Sequence, residues 1–141
     1  MNILVSACLL GKNCKYNGGN NYNQNVIDYI QGHTIISICP ELLGGLGSPR
    51  ESVEIVDGVF RTKNGKNVTK EFQAGVNRAM ERISSKNIDL AILQSRSPTC
   101  GVNQIYDGTF QGDLIKGQGL FAKTLKEAGI KVTDCEDIKL S

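Results

Sequence analysis

The sequence predicts an α/β fold: a three-layer, Rossmann-like parallel sheet with helices on both faces and two short β-hairpins, forming a single domain over residues 1–141. Three observations carry this expectation. Short apolar runs alternate with helix-like segments along the chain, which is the pattern of successive βαβ units. Residues 68–83 place Val68, Phe72, Val76, Met80 and Ile83 at helical spacing with charges between them, as an amphipathic helix lying on a sheet does. Two Asp-Gly pairs, Asp57-Gly58 and Asp107-Gly108, sit between apolar residues, a hairpin-turn signal.

Taken in order, Asn2–Ser6 contains Ile3-Leu4-Val5 and reads as a buried strand. Residues 23–31 carry Val26, Ile27, Tyr29 and Ile30 and form a short helix, with Asn23 as its cap and Gly32 as its stop. Thr34–Ile38 is rich in β-branched residues and makes a second strand. Residues 55–61 form the first hairpin, 68–83 the long helix and 88–93 a third buried strand. Residues 104–110 form the second hairpin. The last helix covers residues 119–128, with Leu120, Phe121, Leu125 and Ala128 inward and Gly129 as its stop, and residues 130–132 are the final strand. Crossovers in such sheets are right-handed, and ligands bind beyond the carboxyl ends of the strands.

Composition narrows the function classes. A chain of 141 residues buries most of its apolar surface without disulfide staples. Its 40% hydrophobic and 21% charged residues are an ordinary globular balance. A net charge of +2 is too small to argue for nucleic acid or an anionic membrane surface. The apolar start, residues 1–10, lacks a basic leader, and no run is long enough to span a bilayer. The expected setting is therefore the cytoplasm, with no membrane and no nucleic-acid partner. The oligomeric state is left open.

Five cysteines, Cys8, Cys14, Cys39, Cys100 and Cys135, need a reason, because in the cytosol cysteines used in number point to metal or redox chemistry. Cys8 follows the first strand, Cys39 the second and Cys100 the third by a few residues, so all three fall on one rim of the sheet. Their flanks suit a site: Gly11, Gly18 and Gly19 near Cys8, Gly44-Gly45 after Cys39, and Pro98 and Gly101 around Cys100. Glycines admit close backbone approach, and prolines stiffen loops. The spacing is neither that of a zinc finger nor that of a compact ferredoxin. Two metal readings stay open: zinc with Cys14 as fourth ligand, or a cluster held by three thiolates with one iron unliganded by protein. Cys14 otherwise reads as a supporting thiol, Cys135 as an ordinary thiol and the single histidine, His33, as a surface residue. Tyr16, Gly18 and Gly19 either line a pocket or form a turn. Glu41 fits a helix entry, where acids are favoured, and Ser97 fits a turn before Pro98. Arg50 either binds an anionic group or pairs with Glu54.

Three segments taken together resemble one family: Ser6-Ala7-Cys8-Leu9-Leu10-Gly11 with Cys14; Cys39-Pro40-Glu41 with Gly44-Gly45-Leu46 and Pro49-Arg50; and Ser97-Pro98-Thr99-Cys100-Gly101. Gly117-Gln118-Gly119-Leu120-Phe121-Ala122 extends the likeness to the last helix. The family, long classed as a bacterial domain of unknown function, is that of the thiouracil desulfidases. The resemblance implies a [4Fe-4S] cluster held by Cys8, Cys39 and Cys100, with Glu41 as acid/base group and Ser97 as its helper. It implies an iron–sulfur-dependent desulfidase, a hydrolase of C=S bonds without net electron transfer, acting on a small thiolated substrate such as thiouracil. Longer members carry a second domain, so this chain is expected to be a single-domain form. Thr99 stands where many relatives have serine. Two other classes compete: a zinc- or cluster-binding module without catalysis, and a metal-free thiol redox or sulfur-transfer protein working through Cys8 and Cys14.

Overall fold

The computed structural model describes residues 1–138. Its centre is a four-stranded, all-parallel sheet built from β1 (Asn2–Ser6), β2 (Thr34–Ile38), β5 (Leu90–Leu93) and β8 (Val132–Asp134), in the order β2-β1-β5-β8. Two antiparallel hairpins stand apart from it, β3 (Val53–Val56) with β4 (Val59–Thr62), and β6 (Gln104–Tyr106) with β7 (Leu114–Lys116). The helices are α1 (Gln24–Tyr29), α2 (Pro40–Leu43), α3 (Thr69–Ile83) and α4 (Leu120–Glu127).

Strand alternation sorts the core into two faces. From β1, Leu4 packs with Val76 and Ala79 of α3 and with Phe121, Ala122 and Leu125 of α4. Its neighbours Ile3 and Val5 point the other way, to Val26 of α1, Ile30, Cys135 and Ile138. Both faces of the sheet are thus covered, as parallel sheets require. Phe60 of the first hairpin stacks on Phe72 of α3, ring centres 4.6 Å apart, which docks the hairpin on the helix. Among the described residues no helix is long and apolar enough to cross a membrane.

The first hairpin follows the expectation: Val56 pairs with Val59, and Asp57 and Gly58 both take positive φ in a two-residue turn. The second does not. Tyr106 pairs with Leu114, so residues 107–113 form a wide loop and Asp107-Gly108 is not a tight turn. The cause is Glu54, buried in β3, whose Oε1 accepts from the amides of Gly108 at 2.9 Å and Phe110 at 3.2 Å. The final strand lies two residues later than expected, at Val132–Asp134, paired with Ala91–Leu93. On α4 it is Ala122 that is buried, while Ala128 caps the helix and is exposed. The chain leaves at Gly129, with the Ile130 amide bonded back to Leu125 O at 3.0 Å.

The one-turn helix α2 carries the residues after Cys39, and it crosses α3 with almost no space between the backbones. A Cβ on Gly75 would lie 2.0 Å from Pro40 O, and one on Gly44 would lie 2.2 Å from Glu71 O. Only glycine permits this contact. It seats the Cys39–Glu41 corner directly on the longest helix.

Candidate active site

A cavity of about 510 Å³ opens beyond the carboxyl ends of β1, β2 and β5. β2 lies on one side of β1 and β5 on the other, so this is the point where strand order reverses and α/β sheets take their ligands. The first strand's end contributes Ser6 and Cys8, the second Cys39 and Glu41, and the third Gln94, Ser97 and Cys100. Cys14, Tyr16 and Arg50 come from the intervening loops, and Tyr106 and Phe110 from the second hairpin and its loop. The cysteines expected on one rim therefore do share one cavity.

Each cysteine is set by its own turn. Cys8 lies in a 3₁₀ turn, Ala7–Leu10, closed by Gly11 in the left-handed conformation. Its carbonyl accepts from the Asn21 amide at 3.0 Å, and Asn21 Nδ2 donates to its sulfur at 3.5 Å. Cys39 is the residue that opens α2, followed by Pro40 at the first helical position, where proline's missing N–H is no loss. Cys100 ends a turn organised by Ser97, whose Oγ accepts from the amides of Thr99 at 3.0 Å and Cys100 at 2.7 Å. That turn is bonded to the start of α4: Leu120 N to Pro98 O, Phe121 N to Thr99 O, and Gly119 N to Gly101 O at 2.8 Å.

The thiols differ electrostatically. Cys14 is buried beside Cys39 and Cys8, and hydrogen bonding with their thiols pushes its own pKa far up. The same hydrogen bond draws Cys39 down to about 7, against the effect of burial and with help from the Leu42 amide. Hydrogen bonding from Cys14, and more weakly from Asn21, draws Cys8 below its ordinary value as well, again against burial. Cys100 is the opposite case: burial pushes its thiol well up, while a hydrogen bond with Ser6 works downward. A thiolate-binding metal centre meets two sulfurs inclined to ionise and a third whose proton it must displace.

Glu41 sits in the first turn of α2 and faces the cavity. Its partner is Arg50, which pairs with Glu41 and not with Glu54. Arg50 Nη2 and Nε donate to Glu41 Oε1 at 2.7 and 3.2 Å. Arg50 Nη1 donates to the carbonyls of Cys14 at 3.0 Å and Gly47 at 2.6 Å. Glu54 is already engaged by the second hairpin's loop, which is why the shorter sequence separation misleads. The other oxygen, Glu41 Oε2, accepts from Thr99 Oγ1 at 3.1 Å. Thr99 is fully buried.

The remaining candidates separate cleanly. Tyr16 lines the cavity, whereas Gly18 and Gly19 make the turn that returns to Lys15. His33 lies at the amino-terminal edge of the sheet, where its Nδ1 accepts from the chain's amino group at 3.0 Å. Cys135 is buried under the sheet, with its sulfur 3.4 Å from Ser95 Oγ. Gln94 and Arg96 line the cavity without having been singled out from sequence. Their only signal was position just past the third strand.

The donor set suits an iron–sulfur cluster. It is all thiol, and it comes from three separate strand ends. Among the described residues no three cysteine, histidine or carboxylate side chains close around one metal ion. In a cubane each thiolate binds its own iron, so the sulfurs stand farther apart than around one ion. The family model described as 2-thiouracil desulfurase matches residues 3–137. The chain belongs to the 2-thiouracil desulfurase family. A relative in Bacillus subtilis strain 168, the uncharacterized protein YbbK, is 36% identical over 140 residues, covering 92% of this chain and 93% of its own. A solved structure titled as the [4Fe-4S]-dependent thiouracil desulfidase TudS is 34% identical and superposes with a TM-score of 0.89, covering 97% of this chain and 92% of that one. The three-layer arrangement of sheet and helices is therefore the fold of that solved structure.

Proposed function

We propose that this protein removes sulfur from thiouracil or a closely related thiolated base by a [4Fe-4S]-dependent, non-redox hydrolysis. The observation that carries the reading is the arrival of Cys8, Cys39 and Cys100 at one cavity from three strand ends, beside Glu41 and Ser97, in a chain of this family. Cys8, Cys39 and Cys100 are the three cluster ligands, and Cys14 keeps its proton and supports Cys8 and Cys39 without binding iron. When bound, the cluster supplies an iron free of protein ligands, a Lewis acid with affinity for soft sulfur.

The protein's own groups move the protons and exclude solvent. Glu41 exchanges protons with the ring nitrogen of the substrate and with water. Ser97 spends its oxygen lone pairs on two backbone amides, which leaves its O–H free to donate to a water in the cavity. Water oxygen replaces sulfur at the ring carbon and the sulfur leaves as hydrogen sulfide. No electrons are exchanged. The partner is a small molecule. Nucleic acid and membrane play no part, and the 1–141 chain acts as one cluster-binding domain. Five cysteines without a disulfide, four of them lining this cavity, suit the reducing cytoplasm.

The test is reconstitution without oxygen, followed by assays of iron, sulfide release and uracil formation from 2-thiouracil. A brown protein with four irons per chain and matched yields of sulfide and uracil is expected. A fully loaded protein that releases no sulfide overturns the reading. In Glu41→Gln the iron content is retained while kcat falls by about 10²-fold or more, the scale of a lost general acid/base. Unchanged turnover in that variant rejects the role given to Glu41.

A further inference from the structure

We infer that Thr99 and Arg50 are positioning residues that fix the Glu41 carboxylate from opposite sides, one oxygen each, so that only Oε2 is left for proton exchange. The inference rests on the function proposed above and goes beyond it by giving roles to two residues to which the proposed reaction assigns none.

Arg50 commits its guanidinium to the protein. Nε and Nη2 both close on Oε1, and Nη1 holds two backbone carbonyls, Cys14 O and Gly47 O. Its own amide donates to Tyr16 O at 2.6 Å. Arg50 therefore ties the Glu41 carboxylate to the loop that carries Cys14, and its side chain is almost wholly buried in doing so. Oε1 receives two N–H donors and is saturated.

Thr99 approaches from the other wall. It belongs to the Ser97–Cys100 turn, and its backbone carbonyl accepts from both Phe121 and Ala122 at the start of α4. The hydroxyl it presents to Oε2 is thus carried on a rigid element. Oε2 has one donor from Thr99 and a lone pair to spare. Two loops that reach the cavity from different strands meet at this carboxylate, 58 residues apart in sequence at the Thr99 contact. Removing either grip lets Glu41 rotate about its own side-chain bonds. Misplacing a reacting group by even 1 Å costs on the order of 10²-fold in rate.

Thr99→Val and Thr99→Ser separate the roles. Valine keeps the buried shape and loses the hydroxyl, and serine keeps the hydroxyl. With reconstituted protein and 2-thiouracil, Thr99→Val is expected to lower kcat about 10- to 100-fold, the scale set by that misplacement. KM and iron per chain should stay at wild-type values, and Thr99→Ser should stay near wild type. In a Glu41→Gln background Thr99→Val should add no further loss, since residues acting as one unit are not additive. Arg50→Lys is expected to behave like Thr99→Val with a partial effect.

Three results overturn the inference: wild-type kcat in Thr99→Val, iron lost in proportion to activity, or multiplied losses in the double variant. A wild-type protein that binds its cluster yet releases no sulfide overturns the function as well, so the two failures are told apart.

Discussion

Two turns bring cysteines to the cavity from opposite sides of β1, and they are built differently. The Cys39–Glu41 corner is held by bare backbone contact: α2 lies against α3 through Gly44 and Gly75, and Arg78 of α3 donates to Leu43 O. The Ser97–Cys100 turn is held by hydrogen bonds, from Ser97 Oγ within it and from the first amides of α4 behind it. The first corner ends in an accessible carboxylate and a thiol with a lowered pKa. The second ends in a fully buried hydroxyl and a buried thiol with a raised one. Glu41 stands on a corner whose backbone is tightly packed, and Thr99, one of the two groups that aim it, stands on a hydrogen-bonded turn. Packing of Gly44 and Gly75 dominates in the first case, and the Ser97 hydroxyl, added to a close backbone contact with Gly119, organises the second.

The largest effects are expected at the glycines. Gly75→Ala puts a methyl carbon 2.0 Å from Pro40 O, and Gly119→Ala puts one 2.3 Å from the Thr99 carbonyl carbon. Backbone atoms lie on the far side in both cases, so no side chain can yield. Each variant should lose about 3 kcal/mol or more of stability, read as a shift in the denaturant midpoint. Iron uptake should fall as Cys39 or Cys100 is displaced. If Gly75→Ala unfolds at the wild-type midpoint, the contact between α2 and α3 is not what seats the Cys39–Glu41 corner.

Ser97→Ala should fall between the glycines and the surface. It leaves the Thr99 and Cys100 amides without their acceptor, a cost of about 1–3 kcal/mol where those groups are buried. Chemical denaturation should report that loss, with reduced iron occupancy because Cys100 is less well held. Glu41→Gln, by contrast, should keep both. A Ser97→Ala protein with wild-type stability and iron but lower turnover would show that the hydroxyl serves the attacking water alone.

What the sequence made legible follows the range of the interaction. Cys8, Cys39 and Cys100 each stand just past a strand, so their shared rim follows from local strand signals and one topological rule. Asp57-Gly58 forms its tight turn because the two central residues need only their own positive φ. Asp107-Gly108 has the same letters and fails, because Glu54, more than fifty residues away, takes up the loop amides. That one carboxylate misleads twice: it widens the second hairpin and is unavailable to Arg50. Helix α2 is a single turn and too short to show periodicity. The Thr99–Glu41 contact exists only once two strand ends converge. Nothing in either segment announces it.

Cys8 supplies the third case, a turn with neither device, and hence the smallest expected effect. No glycine packs its 3₁₀ turn onto a helix, and no side chain caps it from within. Its sulfur receives one amide hydrogen bond from Asn21, at 3.5 Å, on a loop next to solvent. The Asn21 backbone amide also holds Cys8 O, and a side-chain substitution leaves that bond intact. Asn21→Ala should therefore cost no more than about 0.5 kcal/mol of stability, as surface changes commonly do, and should leave iron content unchanged. Its effect should appear instead in the reduction potential of the bound cluster, moved downward, since hydrogen bonds to cluster sulfurs favour the more negatively charged reduced state. An Asn21→Ala protein that fails to load iron would mean that the first cysteine, too, depends on its hydrogen-bond partner as heavily as Cys100 depends on Ser97.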